Sequence, residues 1–478
     1  MESALCWPLS DKEKRMMKRP NFVIIQVDQL TDRALKAYGG KYDNPAIDSI
    51  FADGVGFDSC TCQYPLCQPS RASLWSGLYP HETNVLSNGR NWPVDDLAES
   101  AATLGSVFSD AGYECMHFGK THDAGALRGF KIEPEGAIEI PDNPLYPYNQ
   151  DTFRDVYTSE KANEFLSSYS WDKPLLMAVD FVNPHNICGY VGKKQNEVIK
   201  NADGLPELPP NYQFDDIENR SKSIQYICCS HNRQAQVATW KENEYRGYLA
   251  AYHHYLSLVD KQIGTLLDIL RNSNGYDNTY VVFISDHGDG MAARGSVTKQ
   301  VAMYHETVNV PFAFAGPLVK NKGSMVKGLA ENLDLFPTLC ALAGIEAPAS
   351  CRGISLASSV LDLEKPEREY ASSQWFTEWG YTISPARMIA TDNYRYIYYL
   401  EDKKEELYNL ADDPYEMRNI ADDAESSEIL MKMRGYLSEQ IETTGDSFYS
   451  QTVFAPLRWR SHRIGYHNHV GIAAPMEK

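Results

Sequence analysis

Cys67-Gln68-Pro69-Ser70-Arg71, closed by Gly77, puts a thiol and a guanidinium one helical turn apart. Pro69 suits a first helical position and Gly77 a helix stop, so Cys67 and Arg71 are expected on one face near a helix N-terminus. Unpaired backbone N–H groups and the guanidinium converge in such an arrangement and form an anion site beside a nucleophile. The same residues also read as a buried cysteine ahead of an ordinary helix. Further chemistry-bearing side chains follow short apolar runs. Asp28 and Gln29 follow Phe22 to Val27, Lys120 and His122 follow Tyr113 to Phe118, His185 follows Leu175 to Val182, and Asp286 and His287 follow Tyr280 to Ile284. Taken singly, Asp28 and Gln29 also fit as strand-end turn residues, and a lone His or Lys as a surface group. Their recurrence at four strand ends points to one shared site.

Runs of this length, bounded by turn residues and separated by helical stretches, are the pattern of buried strands in a largely parallel sheet. Ligands of open α/β sheets bind beyond the carboxyl ends of the strands, where these residues lie. Leu249, Tyr252, Leu256, Val259, Ile263, Leu266 and Leu270 recur at steps of three and four and predict an amphipathic helix covering the sheet. Gly189 to Asn243, with Pro206, Pro209 and Pro210, is polar and is expected to be irregular and to shape a substrate pocket. Beyond residue 365 the texture changes to short aromatic strands such as Tyr394 to Leu400, then an acidic stretch and a helix around Glu428 to Ile441. The expected fold is α/β, a large mixed, mostly parallel sheet sandwiched by helices, with a smaller C-terminal α+β subdomain. Residues 1–18 read as a leader, 19–365 as the catalytic domain, and 366–478 as a subdomain with a small antiparallel sheet and a helix.

With 45 Lys+Arg against 64 Asp+Glu, the net charge of -19 repels nucleic acid and anionic lipid at long range, so neither is expected as a partner. An anionic substrate must then be captured by a local cluster of cations. The charged run Asp11 to Arg15 arrives too early to leave the stretch of about 7 to 15 apolar residues that a signal peptide needs. The expected location is therefore cytoplasmic, or periplasmic or secreted if a leader has been removed. The ten cysteines, among them Cys60, Cys62, Cys228 and Cys229, are not spaced as a disulfide framework or a paired CxxC zinc site.

Cys67 to Arg71, with Ser76-Gly77-Leu78-Tyr79-Pro80, resembles the signature of the type I sulfatases of the alkaline phosphatase superfamily. The resemblance continues in family order through Gly119-Lys120-Thr121-His122, Pro184-His185, Asp286-His287-Gly288-Asp289, Lys299 and Glu406-Leu407-Tyr408-Asn409-Leu410. It implies an alkaline phosphatase-like fold and conversion of Cys67 to formylglycine by a formylglycine-generating or radical maturating enzyme. The aldehyde hydrates to a diol, one hydroxyl attacks the sulfur of a sulfate ester, and the second then expels sulfate. The resemblance places one divalent cation on Asp28, Gln29, Asp286, His287 and residue 67. Calcium is the family default, but the imidazole, where many relatives have Asn, shifts preference toward manganese, with magnesium also in range. Lys120, Lys299 and Arg71 are expected to hold sulfate oxygens, His122 to take the proton that triggers elimination, and His185 or Lys299 to protonate the departing alcohol. Asp286 is the expected base for the nucleophile, and Asn88 a possible substrate contact.

The expected substrate is a small-molecule or oligosaccharide sulfate ester, a sulfated carbohydrate first and an aryl or steroid sulfate second. Phosphonate monoester and phosphodiester hydrolases of the same superfamily share the cysteine signature and the Asp28-Gln29 and Asp286-His287 types, but generally lack a pair like Lys120 and His122. A non-catalytic anion binder with unconverted Cys67 is a further alternative, and a thiol module using Cys60, Cys62 and Cys67 a third. His253-His254 read as core and surface residues, the Tyr394 to Leu400 stripe as core, Asp412, Asp413, Asp422 and Asp423 as a solvated face, and His467 and His469 as ordinary residues rather than pocket groups reaching in from the appendage.

Overall fold

In β1 (Asn21–Val27) every residue is buried, with Phe22 and Ile24 in one apolar core and Val23, Ile25 and Val27 in another. A strand sealed on both faces needs a layer of structure above and below it, and this sets the three-layer architecture. The computed structural model describes residues 19–88, 96–133, 150–192, 204–212, 219–229, 232–237, 239–299, 302–376, 385–400 and 402–450. The expected leader, residues 1–18, and His467 and His469 lie outside these.

The main sheet adds β2 (Gly54–Thr61), β3 (Glu114–Gly119), β4 (Lys131–Glu133), β5 (Leu175–Phe181), β6 (Thr279–Ser285), β7 (Phe312–Ala315) and β8 (Ser324–Glu331). The order is β4-β3-β5-β1-β6-β7-β2-β8, and β7 alone runs against its neighbours β6 and β2. Val27 is level with Phe181 of β5 and Ser285 of β6, and Gly119 of β3 is level with Asp180. The chain therefore leaves β1, β3, β5 and β6 at one height on one edge. The expected mixed, mostly parallel sheet is the one observed. The apolar pattern does not mark β2 or β8, because Gly54, Gly56 and Gly328 and the charges of Asp58 and Lys327 interrupt their runs, nor β7, whose run is only four residues long.

On one face lie α1 (Cys67–Ser76) and the core residues Leu74, Trp75 and Phe108. The other face carries α2 (Gln150–Ser168) and α3 (Glu242–Arg271), the predicted amphipathic helix, which packs against α2. Tyr248, Tyr252, Leu256, Val259, Ile263, Leu266 and Leu270 of α3 all enter the core. His253 stacks on Tyr42 with ring centroids 3.7 Å apart, in keeping with a packing role. Gly189 to Asn243 is less irregular than expected, since its described parts include helices Ile187–Gly192, Lys222–Cys229 and Asn232–Gln236.

A second sheet, β12-β11-β10-β9, is antiparallel and consists of β9 (Ala371–Trp375), β10 (Ala386–Ala390), β11 (Tyr394–Tyr399) and β12 (Glu405–Asn409). One face packs on α4 (Ser427–Thr444) through Leu430, Met433, Leu437 and Ile441, while Trp375 and Met388 join the core of the main sheet. Beyond α4, Asp446 receives Arg387 Nε at 2.6 Å and Nη2 at 3.0 Å in a buried two-pronged pair. Burial alone would raise the Asp446 carboxyl, but Arg387 holds it below the ordinary value. The pair's stabilisation is thus complete above the ordinary carboxylate range and is lost as pH falls through Asp446's lower folded value. Asp446→Asn is expected to cost about 3 kcal/mol at neutral pH. It should also flatten the fall in urea midpoint between about pH 5 and 3 relative to the unmodified protein, which chemical denaturation across that range will check.

Candidate active site

β1, β3, β5 and β6 each end in a short polar turn, and these turns bring their charged groups toward Cys67 and Asp28. Leu66 is extended at φ -153°, and α1 begins at Cys67 itself. Pro69 is therefore the third helical residue and not the first, a position its missing N–H tolerates because first-turn amides have no intrahelical partner. Gly77 ends the helix at φ 69°, as expected. Cys67 Sγ lies 2.9 Å from Lys299 Nζ, 3.2 Å from His287 Nε2 and 3.8 Å from Asp28 Oδ1.

Arg71 is placed among the strand ends. It is fully buried, and its nitrogens are taken by carboxylates: Nε by Asp286 Oδ2 at 2.9 Å, Nη1 by Asp180 Oδ2 at 3.3 Å and Nη2 by Asp28 Oδ2 at 3.4 Å. Nη1 also donates to the Lys120 carbonyl at 3.3 Å. Every nitrogen of Arg71 thus has a protein partner, and its pairs orient Asp28 and Asp286. With the Oδ2 atoms fixed on Arg71, Oδ1 of Asp28 lies 4.0 Å and Oδ1 of Asp286 3.9 Å from His287 Nε2. His287 Nδ1 donates to the Gly288 carbonyl at 2.8 Å, which leaves Nε2 as the ring nitrogen facing those oxygens.

Asp28, Cys67, Asp286 and His287 each offer a ligand atom within 4.8 Å of the others, and all four are buried. Two carboxylate oxygens and an oriented imidazole nitrogen form a donor set that fits a divalent cation. Gln29 stands apart from this set. Its backbone is left-handed at φ 64°, its Nε2 donates to Asp289 Oδ2 at 2.7 Å, and its Oε1 accepts from Cys188 Sγ at 3.5 Å. What it gives Asp286 is its backbone N–H, to Oδ1 at 3.0 Å.

Lys120 Nζ pairs with Asp28 Oδ2, and His122 follows two residues on, half-buried at φ 51°. His185 is half-buried too, close enough to Asp28 to favour its anion. Burial alone would raise Asp28, yet Lys120, His185, Lys299 and Arg71 together hold it well below the ordinary value. Asp286 is raised, by burial and then by the charge of Asp28. Burial and Asp28 would also raise the Cys67 thiol, but Lys120, Lys299 and His287 outweigh them and bring it well below the usual range. Lys120 and Lys299 are raised despite burial, Lys120 first by Asp28 and Lys299 first by Cys67, so both remain charged.

Asn88 Oδ1 accepts from the Gln68 backbone N–H at 3.0 Å, so this side chain caps α1 from a distant loop. Three supports went unread in the sequence. His117 Nε2 lies 2.7 Å from Asp180 Oδ2, and Gln26, in the amide orientation that satisfies its neighbours, donates to Asp180 Oδ1 at 3.1 Å and accepts from Arg71. The signal was available: each is a buried polar residue inside a mostly apolar strand.

The sulfatase family description matches residues 20–345, and that of the C-terminal part of N-sulphoglucosamine sulphohydrolase matches residues 296–443. The chain belongs to the sulfatase family. A Delta 4,5-hexuronate-2-O-sulfatase from Bacteroides thetaiotaomicron is 44% identical over 480 residues, 99% of this chain and 98% of that protein. A solved structure of a 2-O GAG sulfatase superposes with a TM-score of 0.88 at 44% identity, covering 96% of this chain and 99% of the other. The phosphonate monoester hydrolase of Agrobacterium radiobacter has the same fold, with a TM-score of 0.74 at 22% identity over 90% of this chain and 97% of its own. This sulfatase is thus an enzyme of sulfuric ester hydrolysis, and sulfatases in general use a divalent cation and a formylglycine made from the signature cysteine. The anion-binder and thiol-module alternatives fall away at the level of the family.

Because Asn88 caps α1, Asn88→Ala is expected to lower stability by about 1 kcal/mol while leaving KM for a sulfate ester within about twofold. Thermal melts and steady-state kinetics on the same preparation check this; a large rise in KM at unchanged melting temperature would return Asn88 to the substrate.

Proposed function

We propose that this sulfatase removes the 2-O-sulfate from a Δ4,5-unsaturated hexuronate at the end of a short glycosaminoglycan fragment. The observation that carries the reading is the 44% identity, over 99% of the chain, to the relative of that name. Charge supports it. A chain of net charge -19 disfavours long polyanions, whereas a terminal sugar has only to bring one sulfate to a local cluster of cations.

In this proposal residue 67 is formylglycine, whose hydrate supplies the attacking oxygen, and the bound ion supplies charge that favours losing that oxygen's proton. The Sγ position of Cys67 marks where the aldehyde carbon's oxygen projects. Lys299 and Lys120 donate to sulfate oxygens, and their charge counters the negative charge that moves to the departing oxygen. His185 hands a proton to that oxygen, and His122, on the Lys120 turn, removes the hydrate's remaining proton. Arg71 touches neither substrate nor leaving group; it keeps Asp28 and Asp286 turned toward the centre. Cys67 is only 1% exposed, so the maturating enzyme must reach it before α1 packs.

The ion in this proposal is calcium, held by Asp28 and Asp286, with His287 adding affinity for manganese. An ion that binds only the folded state raises its melting temperature. Chelator is expected to lower the melting temperature of the native protein, calcium to restore it, and Asp28→Asn to abolish the response. No response of the native protein would remove the metal from this cluster.

The substrate is tested with protein whose peptide containing residue 67 shows the loss of about 18 mass units on conversion. The expected result is a kcat/KM for a Δ4,5-unsaturated 2-O-sulfated uronyl disaccharide about a hundredfold above those for its saturated counterpart, a 6-O-sulfated glucosamine and an aryl sulfate. Cys67→Ala should show no turnover. Equal rates on the aryl sulfate and the unsaturated disaccharide would overturn the hexuronate assignment.

A further inference from the structure

Lys299 arrives at the active centre from a segment whose backbone is unusually constrained. Met291, Ala292, Arg294 and Thr298, none of them glycine, sit at φ 48°, 60°, 54° and 60°. Left-handed backbone at such residues persists only where the surroundings over-determine it. Thr298 matters most, because it immediately precedes Lys299 and its dihedrals set the direction in which that side chain leaves the main chain.

Both backbone polar groups of Thr298 are tied. Its C=O accepts from the Gly290 N–H at 2.8 Å, and its N–H donates to the Tyr248 hydroxyl at 2.7 Å. Tyr248 Oη donates in turn to Asp289 Oδ1 at 2.6 Å. The same oxygen accepts the Met291 N–H at 2.8 Å, and Oδ2 accepts Gln29 Nε2 at 2.7 Å. Tyr248 and Asp289 are both fully buried. One phenol on α3 therefore clasps the segment at its start, through Asp289, and at its end, through Thr298. The relay also reaches back to Gln29, whose backbone N–H holds Asp286.

We propose that Tyr248 is a positioning residue, which sets Lys299 Nζ against residue 67 by fixing the Thr298 amide relative to Asp289. The proposal rests on sulfate-ester hydrolysis and on Lys299 acting at the reacting centre, and not on the identity of the sugar. Its test can be run on whichever sulfate ester the native enzyme hydrolyses fastest, so failure of the hexuronate assignment leaves it measurable.

The experiment is a double-mutant cycle with Tyr248→Phe, Lys299→Ala and the combination, all verified as converted at residue 67. Tyr248→Phe keeps the ring in the core and removes only the hydroxyl. Its expected effect is a loss of about 10- to 100-fold in kcat with KM within about twofold, because a misplaced donor is felt in the transition state more than in binding. In the Lys299→Ala background the same substitution should change kcat by less than about twofold, since there is no longer a donor to misplace. Losses that multiply in the double variant, or a Tyr248→Phe enzyme that melts lower yet keeps its kcat, would overturn the proposal and leave the hydroxyl a purely structural group. Should Tyr248→Phe fail to fold, Asp289→Asn weakens the same clasp without emptying the space. It must then show the same loss and the same absorption by Lys299→Ala, or the proposal falls.

Discussion

A guanidinium sealed from water and shared among three carboxylates is the constraint on which this centre depends. Asp28, Asp180 and Asp286 come from three different strand ends or strands, and each would be costly to bury as an isolated anion. Arg71 makes their burial tolerable, and its planar fork does so in one orientation only. The consequence is geometric: each of Asp28 and Asp286 turns one oxygen back to Arg71 and presents the other toward His287 and residue 67. The motif arginine is thus part of the scaffold that shapes the site. Asp180, held by His117 and Gln26, belongs to the same scaffold although it never faces the reacting centre.

Such a centre can be assembled only where strands end level and turns are short. The register of β1, β5 and β6 provides the level ends. The turn after β6 shows how closely the backbones must then pass: a Cβ on Gly288 would lie 2.0 Å from the Glu306 carbonyl oxygen. The C-terminal sheet and its flanking turns complete the enclosure. Arg294, in the segment leading to Lys299, donates to the Tyr415 and Glu416 carbonyls at 3.0 and 2.8 Å, and Arg395 of β11 reaches Asn309 at 2.7 Å and Glu416 at 2.9 Å. The smaller sheet thereby braces the loop that delivers a cation to the active centre.

Much of this was legible from residue order alone, and the limits have physical causes. Strands β1, β5 and β6 stood out because both faces are buried and their runs are nearly continuous, and β3 because its run ends at Gly119-Lys120; β2 and β8 did not, because glycines and charges break theirs. The helix over 242–271 was marked by its periodicity, although its first turn, polar and exposed, was not. At the site, Lys120, Asp28, Asp286 and His287 were informative through their recurrence at several strand ends, since singly each also fits as a turn or surface residue, and Cys67 through its place beside Arg71 at a helix start. The direction of a side chain is a different matter. Whether Arg71 points out to an anion or back to three carboxylates depends on partners 43 to 215 residues away, and the turning of Gln29 toward Asp289 on one 260 residues away. Asn88 was read as a substrate contact for the same reason: nothing local says that its oxygen is taken by the Gln68 amide.

The fold does not by itself choose the reaction, since a phosphonate monoester hydrolase is built on the same architecture. The charge arrangement narrows what the centre can accept. Asp28, Asp180 and Asp286 are offset by Arg71, Lys120 and Lys299, so the protein groups alone come close to neutrality. A divalent ion added to that set leaves an excess of positive charge, matched to one monoanionic ester and a deprotonated nucleophile and set within a surface that is strongly negative overall. Lys299 holds the decisive place in that balance, because it is the cation nearest residue 67 and is carried by a strained segment instead of a strand. Its charge is favoured by the nearby Asp28 carboxylate against the cost of burial, but its position is not fixed by charge. That position has to come from groups such as Tyr248 and Arg294, which contribute no chemistry of their own, and it is there that the architecture shared across the superfamily can be tuned to a particular ester without altering the metal-binding cluster.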